Sequence, residues 1–196
     1  MKTETLKDRN QTLKQYVTDM RAWDQYLLDI SQIQANDSNL KRYPQAVSLI
    51  NQIVFITQKH VVNLDTQVTR FNVGARSALK GAVTSLAGST MGFLNKVRSH
   101  EVSKMLRDDY TALSLSAISY TMLHTVGLSL HDSIIADLAL EHLKNITPLI
   151  VEISEIIPAI VVTELADEGD VTEPNAGIIA LHNTQQAWTR EAAHMI

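Results

Sequence analysis

The side chains of this 196-residue chain that could do chemistry are its histidines and carboxylates, because it contains no cysteine. That absence excludes disulfides, thiolate nucleophiles and cysteine-ligated zinc or iron–sulfur centres. Residues three apart share a helix face, so a Glu-x-x-His spacing can bring a carboxylate and an imidazole to one ion. The chain has one intact example, Glu191-Ala192-Ala193-His194. It lies almost at the C-terminus, where chains fray, and reads as coincidence. Thr57-Gln58-Lys59-His60 keeps the imidazole but has Thr in place of the acid. Asp24 and His60 read as a partly buried polar contact rather than as a mononuclear metal site with His142, since an internal acid chiefly needs one good partner. His124 and His142 read as structural histidines bonded to carbonyls. The acidic run Asp167, Glu168, Asp170 and Glu173 lacks the alternating ligand spacing of a calcium loop, and reads as solvated. The Asp108–Asp109 pair reads as a complement to a helix dipole. No nucleophile–base pattern, glycine-rich phosphate loop or Walker sequence is present.

These residues must be positioned by helices. Leu13, Tyr16, Val17, Met20, Trp23, Leu27 and Ile30 recur at three- and four-residue steps, the stripe of an amphipathic helix. This predicts a helix over about 12–36, ended by the turn-forming run Asn36-Asp37-Ser38-Asn39. A second helix is expected over about 44–72, opened by Pro44, which lacks an N–H and suits a first helical position. Its stripe is Val47, Ile50, Val54, Thr57, Val61, Leu64 and Val68. A third is expected over about 100–130, capped by Ser99, with Leu106, Tyr110, Leu113, Ala117, Tyr120, His124 and Gly127 inward. The fourth, over about 132–165, is capped by Asp132 or Ser133 and buries Ile135, Leu138, His142, Ile146, Leu149, Ile153 and Ile156. Pro148 is expected to kink it and Pro158 to kink or end it. Residues 74–97, rich in Gly, Ala, Ser and Thr, read as a helical crossover packed on the other helices or on a second copy. A C-terminal extension, 166–196, is expected to carry a last helix from about Pro174. No strand alternation persists, so the class is all-α and the chain reads as one domain, 1–196.

Composition narrows the partners. A net charge of −4 offers no clustered basic surface for nucleic acid. The polar start, MKTETLKDRNQTLKQ, lacks the apolar core of a signal peptide, and no run reaches the roughly 18 uninterrupted apolar residues of a spanning segment. The expectation is a cytoplasmic protein without a transmembrane segment.

Two long helices, a crossover and two more long helices, together with Lys41-Arg42-Tyr43-Pro44, Leu106-Arg107-Asp108-Asp109-Tyr110-Thr111-Ala112-Leu113 and Ser119-Tyr120-Thr121-Met122-Leu123-His124, resemble uncharacterised bacterial ferritin-like proteins linked to stress responses. The resemblance covers about 12–160 and implies a ferritin-like four-helix bundle. Ferritin-like di-iron proteins supply a Glu from each of two helices and Glu-x-x-His from the other two. The matching positions here are Asp24, Thr57, His60, Ser116 and Asn145, of which only Asp24 is an acid. The resemblance therefore implies a degenerate site with no di-iron centre and no other cofactor.

The expected function is that of a non-catalytic helical protein acting through self-association, with a dimer favoured, or through partner binding, with a link to stress. Two other readings are a metal protein with an unorthodox site built from Asp24, His60 and a later histidine, and a carrier of an apolar ligand such as a lipid in the bundle core.

Overall fold

A computed structural model describes residues 2–72, 102–169 and 171–188 of the chain. Five α-helices account for most of them: α1 (Lys2–Ala35), α2 (Pro44–Asn72), α3 (Val102–Ser129), α4 (Ser133–Glu168) and α5 (Ala176–Ala187), with a single 3-10 turn at Leu40–Arg42. No strand occurs among the described residues. The all-α expectation holds. The expected crossover at 74–97, the Ser99 cap and Glu191-x-x-His194 lie outside the described residues.

The helix ends follow local chemistry. After α1, Asp37 Oδ1 accepts from the Asn39 N–H at 2.8 Å, an Asx turn of the kind the Asn-Asp-Ser-Asn run favours. Pro44 is the first residue of α2, as predicted. The α3–α4 junction is a Schellman arrangement: the Asp132 N–H reaches Gly127 O at 2.8 Å and the His131 N–H reaches Leu128 O at 3.1 Å. His131 takes the left-handed backbone this requires, with φ 53°. Asp132 then caps α4, accepting from the Ile135 N–H at 3.1 Å, and its other oxygen pairs with Arg70 of α2 at 2.9 Å. The return is so close that a Cβ on Gly127 would stand 2.6 Å from Ala136 N. The start of α3 is closed from another helix, since Glu164 accepts from the Ser103 N–H at 3.0 Å and from its hydroxyl at 2.5 Å.

One boundary departs from expectation, and one open alternative is resolved. Helix α1 begins at Lys2, well before residue 12, because Lys, Glu, Leu, Arg and Gln sustain a helix by intrinsic propensity without an apolar stripe to announce it. Helix α4 runs through both Pro148 and Pro158 to Glu168, so Pro158 does not end it. Its buried residues Ile146, Leu149, Ile153 and Ile160 anchor the helix on either side of Pro158, and that packing offsets the missing backbone bond. Helix α4 is also long and apolar enough, by length and composition, to cross a membrane. The expectation based on uninterrupted apolar runs passed over it because Glu152 and Glu155 break the run.

Helix α1 pairs with α2 and α3 with α4, while α2 also meets α4 and α1 meets α3. One core, including Leu13, Val17, Leu49, Ile53, Leu64, Leu106, Leu113, Leu123, Ile135 and Ile153, fills the space they enclose. The Arg21 guanidinium holds Asp65 through two bonds of 2.7 and 3.3 Å, fixing α1 against α2. Helix α5 packs on α4, with Gly177 close enough that a Cβ would meet Pro158 O at 3.2 Å.

Candidate functional site

One polar residue from each of the four long helices meets at a single buried point: Asp24 (α1), His60 (α2), Tyr120 (α3) and His142 (α4). None is more than 2% exposed. Each sits on its helix's inward stripe, where the 3.6-residue period alternates it with Leu, Ile and Val of the core. The Tyr120 hydroxyl donates to Asp24 Oδ2 at 2.5 Å and lies 2.9 Å from His142 Nδ1. His60 Nδ1 stands 3.4 Å from the same Asp24 oxygen. The two imidazoles stack, centroids 3.7 Å apart and planes 6° from parallel, and the Tyr120 ring meets both edge-on. The outer nitrogens face amides: Asn63 Nδ2 lies 3.3 Å from His142 Nε2, and Asn145 Nδ2 lies 3.4 Å from His60 Nε2.

Burial sets the electrostatics. It pushes the His142 pKa down to about 2, with His60 and then Lys59 adding to the effect, so this imidazole is neutral. Burial, followed by the Asp24 carboxylate, raises Tyr120 well above the usual phenol range, so the hydroxyl keeps its proton. One tautomer assignment then satisfies the cluster. His142 Nδ1–H donates to Tyr120, Tyr120 donates to Asp24, and the two amides donate to the outer ring nitrogens.

Of the residues matched by resemblance, Asp24, His60 and Asn145 come together here. Ser116 lies to one side, accepting from Trp23 Nε1 at 2.7 Å and donating to Ala112 O at 3.1 Å. Thr57 turns its hydroxyl back to Ile53 O at 2.7 Å. The expected contact between Asp24 and His60 is present and completely buried. His124 meets expectation, with Nδ1 2.7 Å from Ala136 O, whereas His142 bonds no carbonyl among the described residues and joins the cluster instead. Tyr120 occupies its expected place in the stripe of α3; its phenol oxygen, aligned with Asp24 and His142, is the member that sequence reasoning missed. The Asp108–Asp109 reading is corrected too. Asp109 is 6% exposed and turns inward to bond Gln34 of α1 at 2.8 Å. Its spacing from Leu106 and Leu113 was the available signal.

The arrangement bears directly on metal binding. Asp24, His60 and His142 offer three ligand atoms within 4.8 Å of one another. Ligands on a first-row ion at roughly 2.0–2.2 Å direct their lone pairs at it, and an imidazole does so in its ring plane. Two nearly parallel stacked rings send their lone pairs along parallel planes, so one ring must leave the stack before both can hold one ion. Elsewhere, α3, α4 and α5 frame a groove of about 440 Å³ lined by Tyr110, Val151, Ile157, Pro158, Leu181 and Trp188 among others. Trp188 meets Tyr110 edge-on, with centroids 6.1 Å apart. Of the acidic run, Asp167 pairs with Arg42 at 2.6 Å and Glu173 accepts from the Asn175 N–H at 2.9 Å.

No protein-family model matches the chain, and no curated protein matches it. Among solved structures, it is similar to the crystal structure of protein XCC3681 from Xanthomonas campestris pv. campestris. The TM-score is 0.65 at 19% identity, over 83% of this chain and 99% of that one. That likeness is one of fold.

Proposed function

We propose that this protein is a ferritin-like four-helix scaffold whose metal position has become a packed polar cluster, and that it acts without catalysis, through self-association or a protein partner. The observation that carries the reading is the stacked His60–His142 pair, with the Tyr120 hydroxyl between Asp24 Oδ2 and His142 Nδ1 and an amide beside the outer nitrogen of each ring. A site kept for metal holds its imidazoles apart and aimed at a common point. Here they are face to face and turned toward amides. One carboxylate also leaves two ferrous ions several charges short. Exposed apolar residues on several outer faces, including Phe55 and Val62 on α2, Ile118 and Met122 on α3, and Ile178 and Ile179 on α5, supply surface for association.

Elemental analysis of protein purified without chelator or added metal, with sedimentation velocity and aerobic ferrous oxidation on the same sample, tests the proposal. The expected result is sub-stoichiometric metal, oxidation at the buffer rate and a species larger than 21.8 kDa. A second reading, a single divalent ion held by Asp24, His60 and His142, is favoured by the clustering of their ligand atoms. Near-stoichiometric metal, lost in His142→Ala, establishes that reading and overturns the first. A monomer retaining lipid in native mass spectrometry, with no metal, directs attention to the groove beside Trp188 and overturns self-association.

A further inference from the structure

Gln34, in the last turn of α1, and Asp109, in the second turn of α3, are joined by one hydrogen bond, Gln34 Nε2 to Asp109 Oδ1 at 2.8 Å. Both side chains are buried, at 4% and 6% exposure. The two remaining oxygens, Gln34 Oε1 and Asp109 Oδ2, are also buried, and neither has a donor among the described residues. Two buried acceptors left over on partners already joined through their other atoms have one economical solution. A proton on Asp109 Oδ2 supplies the missing donor, and amide and acid then close a two-bond ring.

We propose that Asp109 is a carboxylic acid in the folded protein, paired doubly with Gln34, and that this pair is a pH-sensitive latch holding the C-terminal turn of α1 against α3. The charges around it leave that proton in place. On its own helix the nearest is Asp108, whose negative charge opposes ionisation and which is itself held by Arg107 at 2.9 and 2.7 Å. Helix α1 has no ionisable side chain between Asp29 and its end, and α2 has none between Pro44 and Lys59. On α4, Glu155 lines the groove beside Arg107 and Glu164 is bonded to Ser103. The 3-10 turn's Arg42 is paired with Asp167. Among the described residues, no cation acts on Asp109 strongly enough to hold its pKa down. Burial, with Asp108 adding to it and the Gln34 bond opposing, raises the Asp109 pKa to about 7. Above that value the ring opens, and two buried oxygens face each other with no proton between them.

Asp109→Asn separates the latch from ordinary packing, because the Asn amide reproduces the acid's donor and acceptor without a titration. Infrared difference spectra should show the C=O stretch of a protonated carboxyl in the wild-type protein at mildly acid pH. That band should disappear with a midpoint near 7 and be missing in Asp109→Asn. Hydrogen exchange in the last turn of α1, corrected for intrinsic base catalysis, should quicken severalfold across neutrality in the wild type and stay level in the variant. Absence of the band at mildly acid pH, or its survival in Asp109→Asn, overturns the proposal. Equal exchange profiles overturn the latch. If the variant does not fold, carbon-13 titration of aspartate carboxyls in the wild type decides: a midpoint near 7 supports the acid, and all midpoints in the ordinary carboxylate range overturn it.

Discussion

Removing one oxygen from the cluster gives the sharpest test of how it is held together. Tyr120→Phe keeps the ring, and with it the edge-on contacts to His60 and His142, so only the volume of one oxygen is vacated at a residue that is 0% exposed. Two partners lose a bond. Asp24 Oδ2 loses its 2.5 Å donor, and the His142 Nδ1–H loses its acceptor at 2.9 Å. A hydrogen bond to a charged group contributes about 1.5–3 kcal/mol, and a buried donor left unmet costs about 1–3 kcal/mol. Taken together, with partial overlap, the loss should be about 2–5 kcal/mol. For a chain of this length that lowers Tm by about 5–15 °C. Urea unfolding with an unchanged m-value measures it. A double-mutant cycle with Asp24→Asn should return a coupling of about 1–3 kcal/mol. A loss under about 0.5 kcal/mol would refute the reasoning, because it would mean that neither Asp24 nor His142 depends on the phenol.

Other outcomes follow from the same geometry. His142 is depressed below 6.5, so the unfolded chain binds a proton there that the native one does not, and stability should fall as pH drops below about 6.5. Asp109 is raised from 3.8 to about 7, so stability should fall as pH climbs through that interval and level off above it. Each slope is about 1.4 kcal/mol per pH unit and they oppose where they overlap, so Asp109→Asn should expose a steep acid limb in denaturant titrations that the wild type conceals. Gly127→Ala should cost about 2 kcal/mol or more by thermal unfolding, since the added Cβ meets Ala136 backbone that cannot retreat. His131→Gly should stabilise by about 0.5–1 kcal/mol in the same assay, by relieving a left-handed backbone at φ 53°. Thr57→Glu with Ser116→Glu should destabilise by several kcal/mol in metal-free buffer, about the cost of unpaired buried acids. A neutral effect there would show that water reaches the centre.

What the sequence made legible was whatever local chemistry decides. Asn36 to Asn39, Pro44 and Asp132 stop, start and cap helices by bonds to their own neighbourhood, and they do so where expected. The stripes located the core for the same reason, since a 3.6-residue period needs no partner to be read. The early start of α1 was hidden because propensity without amphipathicity leaves no periodic mark. The cluster was half visible. Asp24 and His60 are legible as an acid and an imidazole at matched positions of a degenerate metal site, whereas Tyr120 stands among the hydrophobes of its stripe. Whether His142 met a carbonyl or another ring depended on the depth to which α4 slides along α2, and no single helix encodes that. Asp109 was misread because two acids near a helix start have an adequate local explanation. Only its spacing from Leu106, Leu113 and Ser116 argued for burial.

The meeting of Asp24, His60, Tyr120 and His142 also bears on how the chain reaches its native state. Each member comes from a different long helix, so none of the four can complete its bonds within one hairpin. The α1–α2 and α3–α4 pairs can zip locally, but the cluster closes only when the two halves dock in one register. A slip of one helical turn, about 5.4 Å along either axis, would strand a buried carboxylate and a neutral imidazole among leucines. Contacts that form last have low φ-values: weakening them leaves the folding rate nearly unchanged and speeds escape from the native state. Tyr120→Phe should therefore shift the unfolding arm of the chevron and spare the refolding arm, so that the cluster governs the lifetime of the assembled protein rather than the speed of its assembly.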